Sequence, residues 1–98
     1  MAMAEILHKD KIIKIIEMFF PNATIYLFGS YARGDFRHGS DIDIAIDNKE
    51  KLPLSEWSQI KNMIEALNLI QNADIVDFQR VPTEMQRNIL CDGVVWKN

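Results

Sequence analysis

Ninety-eight residues, 48% of them hydrophobic and 26% charged, suit one domain with a modest core and argue against a disordered or fibrous chain. The net charge of -3 is not the basic surplus of a protein that lives on nucleic acid, so nucleic acid is not the expected partner. The lone Cys91 cannot form an internal disulfide, and no apolar run approaches the roughly 20 residues that a membrane-spanning helix needs.

The segment Met1 to Lys14 lacks the charged start, apolar centre and small-residue cleavage site of a signal peptide, so the cytoplasm is the expected location, with no membrane contact. Ile12, Ile15, Ile16, Phe19 and Phe20 recur at helical spacing and predict an amphipathic helix from about Glu5 to Phe20, ended by Pro21. A strand rich in β-branched and aromatic residues follows over Thr24 to Phe28 and stops at Gly29. Ser30 opens a short turn of helix, and a polar loop through Gly34 and Gly39 leads to a strand over Asp41 to Ile46. Trp57, Ile60, Ile64 and Leu67 share one helix face after Pro53, with Ser55 as the expected N-cap. Ala73 to Phe78 reads as a third strand. Thr83 and Gln86 have the spacing of a capping box that opens a last short helix, which Gly93 closes before Val94, Val95 and Trp96. No repeat, low-complexity tract or linker divides the chain, so residues 1–98 are expected to form one α/β or α+β domain, a small sheet with helices packed on it.

Two features of "FGSYARGDFRHGSDIDIAI" carry chemistry. Alternation along the second strand sends Ile42, Ile44 and Ile46 one way and Asp41, Asp43 and Asp47 the other. Two carboxylates two residues apart on a strand have Cα atoms roughly 6.5 to 7 Å apart and repel, unless solvent or a cation separates them. Mg²⁺ suits such a pair, since it prefers oxygen ligands and keeps positions open for water or phosphate. Gly29 and Ser30 sit where a strand turns into a helix. Backbone N–H groups there favour an anion, glycine permits close approach, and a serine hydroxyl donates one further hydrogen bond. Arg33, one helical turn on, can add positive charge. Phosphate beside metal is the equipment for chemistry on a nucleoside triphosphate.

Gly29-Ser30, ten intervening residues and Asp41-Ile42-Asp43 together resemble the signature of the polymerase-β-like nucleotidyltransferases. "GSYARGD" followed by "GSDIDIAI", with the closing "ILCDGVVW", looks like the minimal nucleotidyltransferase (MNT) branch of single-domain members. The resemblance implies a mixed sheet flanked by helices, two Mg²⁺ held by three carboxylates, and transfer of a nucleoside monophosphate from a nucleoside triphosphate, ATP by analogy, to a hydroxyl. It makes Asp41 and Asp43 metal ligands and catalytic groups, and gives the triphosphate to Gly29 and Ser30, with Arg33 as a further nucleotide contact. The third carboxylate would come from "ADIVDF": Asp74 is the choice, as metal ligand and general base, with Asp77 as the second candidate. Alternation puts those two on opposite faces, and the sequence alone does not settle which one lines the cleft. Ala73 stands where the family more often has a larger β-branched residue.

Each residue has a plainer reading. An isolated Asp-x-Asp pair is usually a solvated strand face, and it is the Gly-Ser pair at its fixed distance that tells against that reading here. Arg33 could simply pair with Asp35 or a carbonyl, and Arg37 and His38 read as loop surface. His8 falls on the polar side of the first helix, Cys91 reads as a small buried group, Trp57 as core rather than base stacker, and Asp47 as a strand-end residue.

Three functions follow in order of preference. MNT proteins resemble the antitoxin half of a pair whose other half is a HEPN-domain toxin with ribonuclease activity. The first reading is therefore a transferase that silences that partner, and assembles with it, by attaching AMP to a hydroxyl such as a tyrosine's. The second is an antitoxin that acts by binding alone, against which the retention of mutually repelling aspartates argues. The third is a transferase for a small molecule, placed last because 98 residues leave little room for an acceptor-holding domain.

Overall fold

The structure, a computed structural model, describes residues 8–34, 41–69 and 72–98. Along them run α1 (Lys9–Phe19), β1 (Thr24–Phe28), α2 (Ser30–Arg33), β2 (Ile42–Asp47), α3 (Leu54–Glu65), β3 (Ala73–Asp77), α4 (Thr83–Asp92) and β4 (Val94–Lys97). The strands form one sheet in the order β3-β2-β1-β4. β1 is antiparallel to both β2 and β4, whereas β2 and β3 are parallel. A parallel pair needs a long crossover, and α3 supplies it. The chain thus adopts the expected α+β fold, a small mixed sheet flanked by helices. No helix among the described residues is long and apolar enough to cross a membrane.

Alternation along the strands decides what each face of the sheet meets. Ile25, Leu27, Ile42, Ile44, Ile46 and Ile75 are all buried, and they join Ile12 and Ile16 of α1 and Ile60 and Ile64 of α3 in the larger core. Each such side chain contributes about 1.5–3 kcal/mol by leaving water. The opposite face is thinner. Ala45, Phe78 and Ile89 of α4 form its centre, with Tyr26, Phe28, Val76 and Val81 packed around them. The small Ala45 on the middle strand leaves room for the rings of Tyr26 and Phe78 to stack, with centroids 5.9 Å apart.

Several local expectations change. α1 is described from Lys9, and the earlier start near Glu5 lies outside the described residues. Its far end is as expected: the Phe20 N–H closes onto Ile16 O at 2.8 Å, just before Pro21. Leu67 lies past the end of α3 yet still packs on the core. Ser55 is not the cap of α3 and Thr83 is not the cap of α4. Pro53 and Pro82 occupy those positions, with no side-chain cap bond at either. The Gln86 amide instead donates to Phe78 O at 2.8 Å, pinning α4 to the chain just after β3. Cys91 is exposed rather than buried, because α4 turns only Ile89 fully inward.

Candidate active site

Pairing across the sheet puts Phe28, Asp43 and Asp74 in one row, on the same face as the Ala45 cluster. Asp43 is half-buried, while Asp74 and Asp41, the residue just ahead of β2, are exposed. β1 ends beside this row at Gly29, whose φ of 78° and ψ of -154° form a combination that side chains with a Cβ avoid. A Cβ there would also collide with the Asp43 carboxylate, lying 3.1 Å from its Cγ. Gly29 is therefore required twice, once for the backbone path and once so that Asp43 can lie against it. Ser30 then begins α2, which the buried Tyr31 anchors against the sheet and which Gly34 ends with its N–H directed at Ser30 O and Tyr31 O.

The electrostatics tie these residues together. Burial pushes the Asp43 carboxyl above its usual range, and the negative charges of Asp74 and Asp41 push it further, against a downward pull from Arg33. The three carboxylates and the guanidinium thus act on one another, with Asp43 as the common neighbour. They do not converge on a single point: among the described residues no group of three or more His, Cys, Asp or Glu side chains is placed to hold a metal ion. The donor set nevertheless fits a hard divalent cation, being all carboxylate oxygen and mutually repulsive. The exposed Asp41 and Asp74 would have to turn toward Asp43 to share one.

Asp77 has a different environment. It lies on the face covered by α1 and α3, 1% exposed. Its Oδ2 accepts the Leu52 N–H at 2.9 Å and Arg80 Nε at 3.0 Å, and its Oδ1 accepts the Gln79 N–H at 3.0 Å. Arg80 Nη2 adds a bond to Leu52 O at 2.9 Å, so this carboxylate ties the turn after β3 to the segment before α3. Asp47 does similar work at the end of β2, accepting the Lys49 N–H and Gln79 Nε2, both at 2.9 Å. Arg37, His38, Asp35 and Gly39 lie outside the described residues.

The reading of Trp57 as a core residue holds, but its hydrogen bond and the cleft beside it carry no signal in the sequence. Trp57 packs against the core while its Nε1 donates to Ile75 O at 3.2 Å, and Lys61 Nζ lies 4.4 Å from the centre of its ring. Beside it a cleft of about 430 Å³ opens between the C-terminal half of α3 and the start of β3, and Asp74 lines it.

A model of the polymerase beta nucleotidyltransferase family matches residues 10–97. The protein adenylyltransferase MntA of Shewanella oneidensis is 33% identical over 89 residues, 89% of this chain and 63% of that protein. The chain therefore spans less than two thirds of that relative's length. A crystal structure of a toxin–antitoxin pair with AMP-PNP superposes with a TM-score of 0.76 at 30% identity, covering 94% of this chain and 75% of the other. A structure of the tri-AMPylated Shewanella oneidensis HEPN toxin in complex with its MNT antitoxin gives 0.70 at 28% identity, covering 94% and 71%.

Proposed function

This chain belongs to the polymerase beta nucleotidyltransferase family, and from that premise we propose that it moves AMP from ATP to a hydroxyl of a HEPN-domain toxin and so acts as an antitoxin. The observation that carries the reading is the row in which Gly29 lies against Asp43, with the charges of Asp41, Asp74 and Arg33 all acting on that carboxylate. A fold stabilised only by its core has no use for a half-buried carboxylate beside two others. The kinship with a protein adenylyltransferase and with toxin–antitoxin structures supports both the transfer and the partner.

In this reading the Gly29-Ser30 turn and Arg33 hold the phosphates. Gly29 lets them come close to the backbone, the Ser30 hydroxyl donates a hydrogen bond, and Arg33 supplies a cation. Asp41, Asp43 and Asp74 would hold Mg²⁺, two ions by analogy with the family, which when bound neutralise the phosphate charge and lower the acidity barrier of the attacking hydroxyl. Asp74, exposed and last in the row, takes the proton of the acceptor hydroxyl. The hydroxyl oxygen bonds to the α-phosphorus, the bond from that phosphorus to the bridging oxygen breaks, and pyrophosphate leaves; the proton passes from Asp74 to solvent. The adenylate adds negative charge and bulk to the toxin, and so keeps RNA from a site that must attract phosphates. The reading puts the chain in the cytoplasm, where ATP is.

The test is release of pyrophosphate from ATP by the purified chain in the presence of Mg²⁺ and a purified HEPN toxin. Release that needs both toxin and metal, and that Asp41→Asn removes, is the expected result. A chain that silences the toxin's ribonuclease activity without releasing pyrophosphate would overturn the transferase reading in favour of neutralisation by binding.

A further inference from the structure

β3 is the outermost strand on its side of the sheet, so within the sheet only β2 holds it. Asn72 O accepts the Ile42 N–H and Ile46 O accepts the Phe78 N–H, so the even-numbered residues of β3 pair with β2 and the odd-numbered ones face the open edge. The two ends of that edge are fastened differently. At the far end Asp77 O accepts the Arg80 N–H at 2.9 Å, the Asp77 carboxylate accepts the Leu52 and Gln79 N–H groups, and Gln86 Nε2 donates to Phe78 O at 2.8 Å. At the near end, one residue past Asp74, Trp57 Nε1 reaches over from α3 and donates to Ile75 O at 3.2 Å. The indole is itself braced. Lys61 Nζ lies 4.4 Å from the ring centre and Arg80 Cζ 5.8 Å, and Arg80 is fixed in turn by Asp77 Oδ2 at 3.0 Å and Leu52 O at 2.9 Å.

We propose that Trp57 is a positioning residue for the transfer: its indole N–H, by holding Ile75 O from the open side of β3, keeps Asp74 aligned with Asp43. The proposal rests on the transferase reading above. Asp43 needs no such help, since β2 is flanked by β1 and β3 and Gly29 lies against its carboxylate. Asp74 is exposed and is the second residue of a five-residue edge strand, where a chain opens most readily. The two carboxylates also repel, as the upward push of Asp74 on the Asp43 carboxyl shows, so repulsion drives a loosened start of β3 away from β2. Satisfying a half-buried indole N–H calls only for some acceptor, water included. Here the acceptor is the carbonyl next to the third carboxylate. Misplacing a reacting group by about 1 Å costs roughly a hundredfold in rate, so a bond that holds this strand acts on turnover more than on the fold.

The experiment pairs Trp57→Phe, which keeps an aromatic ring but loses the N–H, with Gln86→Ala. The latter removes a comparable bond to β3 at Phe78, four residues or roughly 13 Å beyond Asp74. Steady-state AMP transfer to a purified HEPN toxin and amide hydrogen exchange of the isotope-labelled full chain are read on both, with Ile16 of α1 as the exchange reference for global opening. Trp57→Phe should lower kcat by about tenfold with KM for ATP within about twofold, because Gly29, Ser30 and Asp43 lie off β3. It should also speed exchange at the Asp74 amide about tenfold relative to Ile16. Gln86→Ala should keep kcat within about twofold and leave Asp74 exchange, measured against Ile16, as in the parent. 3-Benzothienylalanine at position 57, with the indole's shape but sulfur in place of N–H, should reproduce Trp57→Phe and separates the lost bond from lost volume. The proposal is overturned if Trp57→Phe transfers AMP at the parent's rate, if Gln86→Ala lowers kcat as much, or if exchange at Asp74 is unchanged. A parent chain that transfers no AMP would contradict the transferase reading instead. Exchange then decides the Trp57 contact by itself, faster exchange at Asp74 upholding it and unchanged exchange overturning it.

Discussion

Asp43 is where stability and function oppose each other. Its carboxyl is held above its usual range by burial, then by Asp74 and Asp41, with Arg33 opposing. A carboxyl that binds its proton more tightly in the folded chain than in the unfolded one favours folding fully below the unfolded value of 3.8, and loses that contribution as pH rises through the folded value. At neutral pH the charge therefore weakens the fold. Asp43→Asn should melt higher than the parent at neutral pH, the gain shrinking to nothing below pH 3.8, while AMP transfer falls by roughly a hundredfold or more. Melting curves across pH, beside a turnover assay, check both halves. Gly29 and Gly34 make a second comparison, since both have positive φ, 78° and 80°. Gly29→Ala meets Asp43 and should lose transfer as well as about 1–3 kcal/mol of stability. Gly34→Ala meets nothing within 4 Å and should cost about 1–2 kcal/mol with transfer retained in the folded fraction. Asp74 and Asp77 divide in the opposite sense: Asp77→Ala takes away the acceptor of the buried Leu52 N–H, of the Gln79 N–H and of Arg80 Nε, and should cost about 2–3 kcal/mol. Asp74→Asn should leave the melting temperature near the parent's and lose transfer. The sequence shows that these two aspartates face opposite ways, because alternation is a local property. It does not show that Asp77 has Leu52 and Arg80 to bind, because those partners are set by how a distant loop packs. The closeness of Gly29 to Asp43 was hidden for the same reason.

At the scale of elements, periodicity is a good guide to existence and a poor one to ends. Ile12, Ile15, Ile16 and Ile60, Ile64 mark two helices that the structure contains, and the β-branched runs mark β1, β2 and β3. The caps were misread because proline changes the competition. With Pro53 and Pro82 already extended at the N-cap, the helices begin directly after them. Ser55 and Thr83 then fall inside the first turn, where their hydroxyls cap nothing. Gln86, which a capping box would turn back to the helix start, reaches Phe78 instead. Thr83→Ala and Ser55→Ala should each change stability by less than about 0.5 kcal/mol, against the ~1 kcal/mol of a true cap. Gln86→Ala should cost about 1 kcal/mol by freeing α4 from the end of β3. Urea unfolding of the three variants checks the ordering.

At the scale of the whole molecule, the sheet order is what turns a linear motif into a site. β1 delivers Gly29 and Ser30 to the same end of the sheet at which the parallel pair β2 and β3 begins, so strand pairing alone lines up Asp43 and Asp74 beside them. The parallel sense of that pair follows from the α3 crossover, and the sequence could only suggest it through the family resemblance. The cleft beyond β3 depends on how α3 and the open edge meet, which no local pattern encodes. The central claim is that these aligned groups transfer AMP to a partner protein, and intact mass spectrometry of a HEPN toxin co-expressed with the chain tests it most directly. The account predicts toxin carrying one or more added AMP masses with the parent chain and none with Asp41→Asn. Unmodified toxin that is silenced equally by both chains would contradict it.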